Sequence, residues 1–165
     1  MPNWCDNRVE LYHSDKSKID ALAAELEKKH ANGQFAGEPF KHLRPMPEDH
    51  TDWYTWNINN WGTKWDAHLI DWDRQDDNTI YMYFDSAWAP PVALYEYLTE
   101  DEWVVDAVYH EPGMGYAGFF NGSDHYFEYD ITNLDSIKEL PEEVIEFANL
   151  IEAHEEWVAE NEEQE

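Results

Sequence analysis

The chain has 165 residues, of which 37 are Asp or Glu and 10 are Lys or Arg, so its formal net charge at pH 7 is −27. This charge excludes direct binding to nucleic acid or to anionic membrane surfaces, because both need clustered Lys and Arg. Hydrophobic residues nevertheless make up 42% of the chain, and nine Trp and ten Tyr add aromatic surface, so we predict one folded domain over residues 1–165.

The first half of the chain predicts a strand, a helix and an insertion. Apolar residues alternate in the strand and recur at helical spacing in the helix, whereas the insertion at about 34–62 begins with a stretch rich in proline. The predicted elements are, in chain order, a strand over 7–13, a helix capped by Ser14 or Asp15 that ends before Asn32-Gly33, an irregular stretch over 34–50, and a short helix over 52–61 capped by Asp52.

The second half predicts two hairpins separated by a helix and a strand. The elements are strands over 65–72 and 79–85 joined by a turn at 73–78, a helix that begins at Pro90-Pro91, strands over 103–110, 116–121 and 125–131, and one long helix that begins at Pro141. The order β-α-insertion-β-β-α-β indicates an α+β, ferredoxin-like (βαββαβ) antiparallel sheet. An extra β-hairpin and an acidic C-terminal helical segment over 132–165 follow this core.

Four short stretches resemble a known family. They are residues 1–7 (MPNWCDN), 60–66 (NWGTKWD), 86–91 (SAWAPP) and 115–118 (GYAG). Together they resemble the YubB-type, or Api-like, family of uncharacterised proteins from phages, prophages and plasmids. The resemblance covers roughly residues 1–131 and implies a ferredoxin-like fold and an origin in a mobile element. The family has no established activity to transfer to these positions.

The sequence lacks the motifs of catalysis and of metal binding. There is no nucleophile elbow, phosphate loop or dinucleotide fingerprint, so we predict that the protein is not an enzyme and holds no cofactor. Cys5 lies in an apolar context that favours burial over reactivity. Acidic residues around the turn at 73–78 and the pair Asp66/His68 could ligate calcium or magnesium, but they lack the glycine and glutamate of an EF-hand, so we predict no metal site. The turn candidates are Asp71, Asp73, Asp76 and Asp77.

Tryptophans near Gly62 allow two interpretations. A ligand pocket would have flat apolar walls and one cation to orient its ligand, and its residues would be Trp61, Lys64, Trp65 and Trp88. The burial habits of tryptophan favour an aromatic core instead, in which each indole N–H finds a carbonyl partner. A small-ligand or metal-binding module that uses this pocket is the alternative to the function predicted below.

The acidic residues are concentrated towards the C-terminus, where Lys138 is the only base after Arg74. A charge of −27 equals that of the phosphates along roughly 46 Å of B-DNA, close to the long dimension of about 40–50 Å expected for a chain of this size. A solvated face without a partner, or a structural role in a virion or in replication, remains open. The predicted partner-binding residues are Glu128, Asp130, Asp135, Glu139, Glu142, Glu143, Glu146, Glu152, Glu155, Glu156 and Glu160.

We therefore predict a non-enzymatic phage or mobile-element protein that binds and inhibits a basic host protein through an acidic surface. Its partner would be a nucleic-acid-binding enzyme of defence or replication, and the protein would imitate nucleic acid. The first residues have neither a basic n-region nor an apolar h-region, and a single cysteine forms no internal disulfide. These features predict the host cytoplasm as its location.

Overall fold

The structure, a computed structural model, describes residues 2–162. Its strands are β1 (Trp4–Tyr12), β2 (His68–Asp76), β3 (Thr79–Ala87), β4 (Val104–Glu111), β5 (Tyr116–Phe120) and β6 (Asp124–Glu128). Its helices are α1 (Lys16–Leu26), α2 (Pro39–Leu43), α3 (Trp53–Asn60), α4 (Val92–Glu100), α5 (Leu134–Lys138), α6 (Glu142–Phe147) and α7 (Leu150–Glu162). The strands form one antiparallel sheet in the order β2-β3-β1-β4-β5-β6, which confirms the mixed α+β class.

Alternation along β1 separates the two faces of the sheet. Cys5, Val9 and Leu11 are buried, whereas Asp6 and Arg8 between them are exposed. Val9 and Leu11 belong to a core that α1 and α4 complete from one side of the sheet, whereas Cys5 packs with Tyr109 and Tyr116 in a separate small cluster. This core includes Val9, Leu11, Ile19, Leu22, Leu26, Ile80, Met82, Phe84, Leu94 and Leu98. We call this side of the sheet the helix-covered face.

A second apolar core lies on the opposite side of the sheet, at the β5–β6 end. Ala117 on β5 is buried there against Ile137, Val144 and Leu150, which come from α5, α6 and α7 respectively. Strands β1, β2 and β3 instead expose Asp6, Arg8, Asp71, Asp73 and Tyr83 on this side. We call this part of the sheet the open face. In the part of the chain that the structure describes, no helix has the length and apolar character needed to cross a membrane.

Two predictions for the N-terminal half are wrong in detail. Helix α1 ends at Leu26, well before Gly33, because the chain turns back there and Lys29 pairs with Phe35 in an isolated β-bridge. The stretch predicted to be irregular contains α2, whose first turn is capped from a distance. The Asp66 carboxylate accepts hydrogen bonds from the backbone N–H groups of Phe40 and Lys41, both at 3.0 Å. Strand β2 accordingly begins at His68 rather than at residue 65.

The long helix predicted to begin at Pro141 is instead two helices, α6 and α7, in the described residues, and the short helix α5 precedes them. Helix α6 stops before Asn149, whose φ of 51° lies in the left-handed region that asparagine tolerates better than most residues. The same residue starts the next helix, because its carbonyl accepts the first α-helical hydrogen bond from Ala153 at 3.0 Å. The change of direction lets both Val144 and Leu150 reach the core under β5.

We expect Asp66→Ala to lower the free energy of unfolding by about 1–2 kcal/mol, because α2 loses the acceptor for two of its first amides. Chemical denaturation of the variant measures this loss. Asp71→Ala is the matched control, since among residues 2–162 the Asp71 carboxylate accepts only from the adjacent Trp72 amide and is exposed on β2. An equal loss in the two variants would contradict the capping role.

Candidate protein-interaction surface

The eleven predicted partner-binding residues, from Glu128 to Glu160, are all exposed in the structure. They lie on β6, on the segment that follows it, and on or beside α5, α6 and α7. Glu128 is set apart from the rest, because it pairs with Tyr116 and projects from the face opposite to Ala117 and the C-terminal helices. Among the residues described, none of the eleven forms an ion pair with Lys or Arg. Their charges are therefore not neutralised by direct ion pairs with Lys or Arg, and the base nearest to them in sequence is Lys138 on α5. The predicted row of glutamates along the last helix continues to Glu163, which lies outside the described residues.

Five of the ten Lys and Arg residues form ion pairs with carboxylates among the described residues, and these five lie elsewhere in the fold. The ion pairs that involve Lys or Arg connect α1, α2, the end of α4 and the hairpin that β2 begins. They are Lys16–Asp20, Lys18–Asp101, Lys28–Glu25, Lys41–Glu38 and Arg74–Asp20. Folding thus separates a partly neutralised side of the molecule, which carries α1 and α2, from the unpaired carboxylates of α5 to α7.

The open face extends this acidic surface, and sequence reasoning missed it. Residues paired across antiparallel strands project from the same face of a sheet. Asp6 pairs with Asp85, and Glu10 pairs with Tyr81 on one neighbouring strand and with Asp106 on the other. The acidic residues of this face are Asp6, Glu10, Asp71, Asp73, Asp85 and Asp106. The alternation of polar residues at 6, 8 and 10 could have predicted a polar sheet face, whereas the distribution of charge along the chain does not.

A polar cavity of about 290 Å³ lies where the open face meets α6. Its lining comes from β1, β3 and β4 together with one residue of α6. The residues are Arg8, Glu10, Tyr81, Tyr83, Asp106, Ala107, Val108 and Glu143. The Arg8 guanidinium lies 5.6 Å from the centroid of the Phe147 ring, also on α6. Three carboxylates, two phenol rings and the guanidinium of Arg8 therefore line this cavity.

A row of titratable groups crosses the sheet beside this cavity. Asp6 is flanked by Asp85 on β3 and by His110 on β4, and the His110 Nδ1 lies 4.0 Å from the Asp6 Oδ2. The His110 Nε2 is 2.7 Å from the Tyr129 hydroxyl. Burial, together with the neighbouring Asp6 carboxylate, raises the pKa of Asp85 to about 6, and burial lowers the pKa of His110.

The raised pKa of Asp85 predicts a stability that falls as the pH rises. Folding favours the protonated carboxyl, so its contribution is present below the unfolded pKa near 4 and is lost as the pH passes through about 6. Asp85→Asn should therefore be more stable than the parent at pH 8, by less than about 1 kcal/mol since the site is partly solvated, and equal to it below pH 4. Chemical denaturation at both pH values measures the difference. The control is Asp73→Asn, which removes a charge opposite Tyr81. An equal gain of stability at pH 8 in this control would contradict the role of the Asp6–Asp85 pair.

The predicted ligand-pocket residues occupy two different environments. Trp61 is 5% exposed and packs in the core, where its indole N–H donates to the Arg44 carbonyl at 3.0 Å. Trp65 and Trp88 are 38% and 49% exposed. The Lys64 ammonium lies 4.6 Å from the Trp65 ring centroid, as expected for a surface cation stacked on an indole. The aromatic core thus includes Trp61, and a ligand pocket formed by the other three stays a prediction.

The candidate metal ligands have structural surroundings. In residues 2–162 no group of three or more His, Cys, Asp or Glu side chains is arranged to hold a metal ion. Asp71, Asp73 and Asp76 lie on β2 rather than on a loop, because the hairpin turn is only Asp77-Asn78. The Asp66 carboxylate is occupied by the amides of α2. Cys5 is fully buried, and burial raises the pKa of its thiol well above its usual range, which disfavours the reactive thiolate.

Comparisons with known proteins identify no family by sequence. No family model matches the chain, and no curated protein matches it. Among solved structures, the chain is similar to the crystal structure of a protein api92 from Yersinia pseudotuberculosis, which is assigned to the family DUF1281. The sequence identity is 12%, the TM-score is 0.48, and the match covers 79% of this chain and 99% of that one.

Proposed function

We propose that the protein is a non-enzymatic inhibitor that binds a basic, nucleic-acid-binding host protein through its acidic surface. That surface consists of the ten exposed carboxylates from Asp130 to Glu160 and the six of the open face, whereas Glu128 projects from the opposite face of the sheet. The observation that carries the proposal is the absence of Lys or Arg partners for these C-terminal carboxylates among the described residues, while the Lys and Arg that do form ion pairs lie on or beside α1 and α2 or on β2. Such a separation attracts a cationic groove over a long range.

The charge density of α7 supports an imitation of nucleic acid. This helix has 13 residues, which span about 20 Å, and it carries Glu152, Glu155, Glu156, Glu160 and Glu162. Five charges over that length give about one per 4 Å, close to the one per 3.4 Å of a single DNA strand. A groove built for phosphates would meet a similar density of negative charge along α7.

The fold and the origin of the protein are part of the same proposal. The strand order β2-β3-β1-β4, with α1 and α4 on one face, supports a ferredoxin-like unit to which β5, β6 and the C-terminal helices have been added. The four motif stretches lead us to place the protein in a phage or other mobile element. It would then act in the host cytoplasm on an enzyme of defence or replication.

Competition with DNA tests the proposal directly. The protein should displace a fluorescent duplex from basic nucleic-acid-binding enzymes of the host at 50 mM salt, and the displacement should weaken steeply by 200 mM, because the attraction is screened. An acidic protein of similar net charge but different fold is the control. Failure to displace DNA from any such enzyme, or displacement that is insensitive to salt, would refute the electrostatic account.

A further inference from the structure

We propose that the cavity between the open face and α6 is a socket for one arginine side chain of the partner, so that the acidic surface selects arginine over lysine. This inference rests on the proposed function, and it names the residue by which the partner is recognised. The cavity brings carboxylates of the sheet beside Glu143 of α6, and binding hot spots commonly occupy such pockets within a larger interface.

The charges around the cavity favour a cation. Glu10, Asp106 and Glu143 contribute three carboxylates, and Arg8 contributes the one guanidinium. In the part of the chain that the structure describes, Arg8 forms no ion pair with a carboxylate, and its guanidinium lies over the Phe147 ring instead. The carboxylates are therefore left with negative charge that an incoming cation can neutralise.

The spacing of two of these carboxylates suits a guanidinium better than an ammonium. Glu10 and Asp106 are direct partners on β1 and β4, so their Cβ atoms are about 5 Å apart. The planar fork of a guanidinium has five N–H donors and can bridge two carboxylates, whereas an ammonium is a compact point charge. Glu143, which α6 brings to the same cavity, can accept a further hydrogen bond from the far side.

The phenol rings add a second reason for arginine. Tyr81 and Tyr83 alternate along β3, so both rings lie on the open face and line the cavity, and Tyr83 is 39% exposed. Guanidinium groups stack on aromatic rings more readily than ammonium groups do. At about 290 Å³ the cavity is at the lower limit for small-molecule sites, which matches one side chain rather than a whole ligand.

Titration with octa-arginine and octa-lysine peptides, followed by intrinsic fluorescence and by calorimetry, tests the socket. The parent protein should bind octa-arginine about tenfold more tightly than octa-lysine, and the double variant Asp106→Asn/Glu143→Gln should lose this preference. Tyr83→Leu should reduce the preference without changing the net charge.

The control is Glu155→Gln/Glu156→Gln, which removes the same charge from α7 outside the cavity and should weaken binding of both peptides equally. The arginine socket is refuted, without refuting the proposed acidic surface, in either of two cases: the parent shows no preference for octa-arginine over octa-lysine, or Asp106→Asn/Glu143→Gln keeps that preference. If neither peptide binds the parent at low salt, the proposed function itself fails.

Discussion

Replacing Gly118 by alanine is expected to lower the free energy of unfolding by about 3 kcal/mol. Gly118 lies on β5 between β4 and β6, opposite Tyr109 and Tyr126. A Cβ atom there would collide with the backbone carbonyl of His125 and would lie 2.5 Å from the Tyr109 hydroxyl oxygen. The Tyr109 side chain crosses the place that a side chain at position 118 would need.

The cost is large because neither neighbour can yield without a further loss. The His125 carbonyl belongs to the backbone of β6, which pairs with β5. The Tyr109 hydroxyl donates to the Asp124 carboxylate at 2.7 Å, so a displaced ring would break the hydrogen bond that ties β4 to the start of β6. Gly118, the second glycine of the motif at 115–118, is thus explained by the close approach of the Tyr109 side chain and the His125 backbone to its Cα.

Chemical denaturation of Gly118→Ala beside Gly33→Ala separates the steric cost from the ordinary cost of losing a glycine. Gly33 has a φ of +85° and no atom within 4 Å of the position of a Cβ, so its replacement should cost about 1 kcal/mol through backbone strain alone. If the two variants lost the same stability, the close approach at Gly118 would not be the cause.

Local signals predicted most of the secondary structure. Alternation in β1 and β3 and helical spacing in α1 each depend on neighbouring residues, as do the caps Asp15 and Asp52, whose carboxylates accept from the amides of Ser17 and Thr55. Helix α2 was missed because its cap, Asp66, is 26 residues away from Phe40 in sequence. The break between α6 and α7 was missed because continuous apolar spacing concealed the left-handed backbone at Asn149.

The acidic surface was predicted only in part for a related reason. Most of the carboxylates from Asp130 onward are exposed on or beside α5, α6 and α7, whose apolar residues mark the buried side, so sequence spacing was sufficient. The open face depends on register: Asp6, Asp85 and Asp106 are far apart in sequence and meet only when β1 pairs with β3 and β4. The cavity needs in addition the placement of α6, which long-range packing determines.

Neutralising α7 is expected to weaken binding to the proposed basic partner by about 100-fold or more while making the protein itself more stable. The variant replaces Glu152, Glu155, Glu156, Glu160 and Glu162 by Gln. Each exposed charge contact contributes up to about 1 kcal/mol, so the loss of five reduces affinity by two to three orders of magnitude at low salt. Removal of like charges at i,i+3 and i,i+4 relieves about 0.2–0.5 kcal/mol per pair within the helix.

The control removes five negative charges from the other side of the molecule. The five are exposed, and in residues 2–162 none of them forms an ion pair with Lys or Arg: they are Glu27, Glu48, Asp49, Glu96 and Glu100. Their replacement by the corresponding amides gives the same net charge as the α7 variant. Binding measured from 50 to 200 mM salt should fall much less in this control. If the α7 variant gains stability while it loses affinity, misfolding cannot explain the loss of binding. Equal losses of affinity in the two variants would mean that net charge alone, rather than contact through α7, attracts the partner.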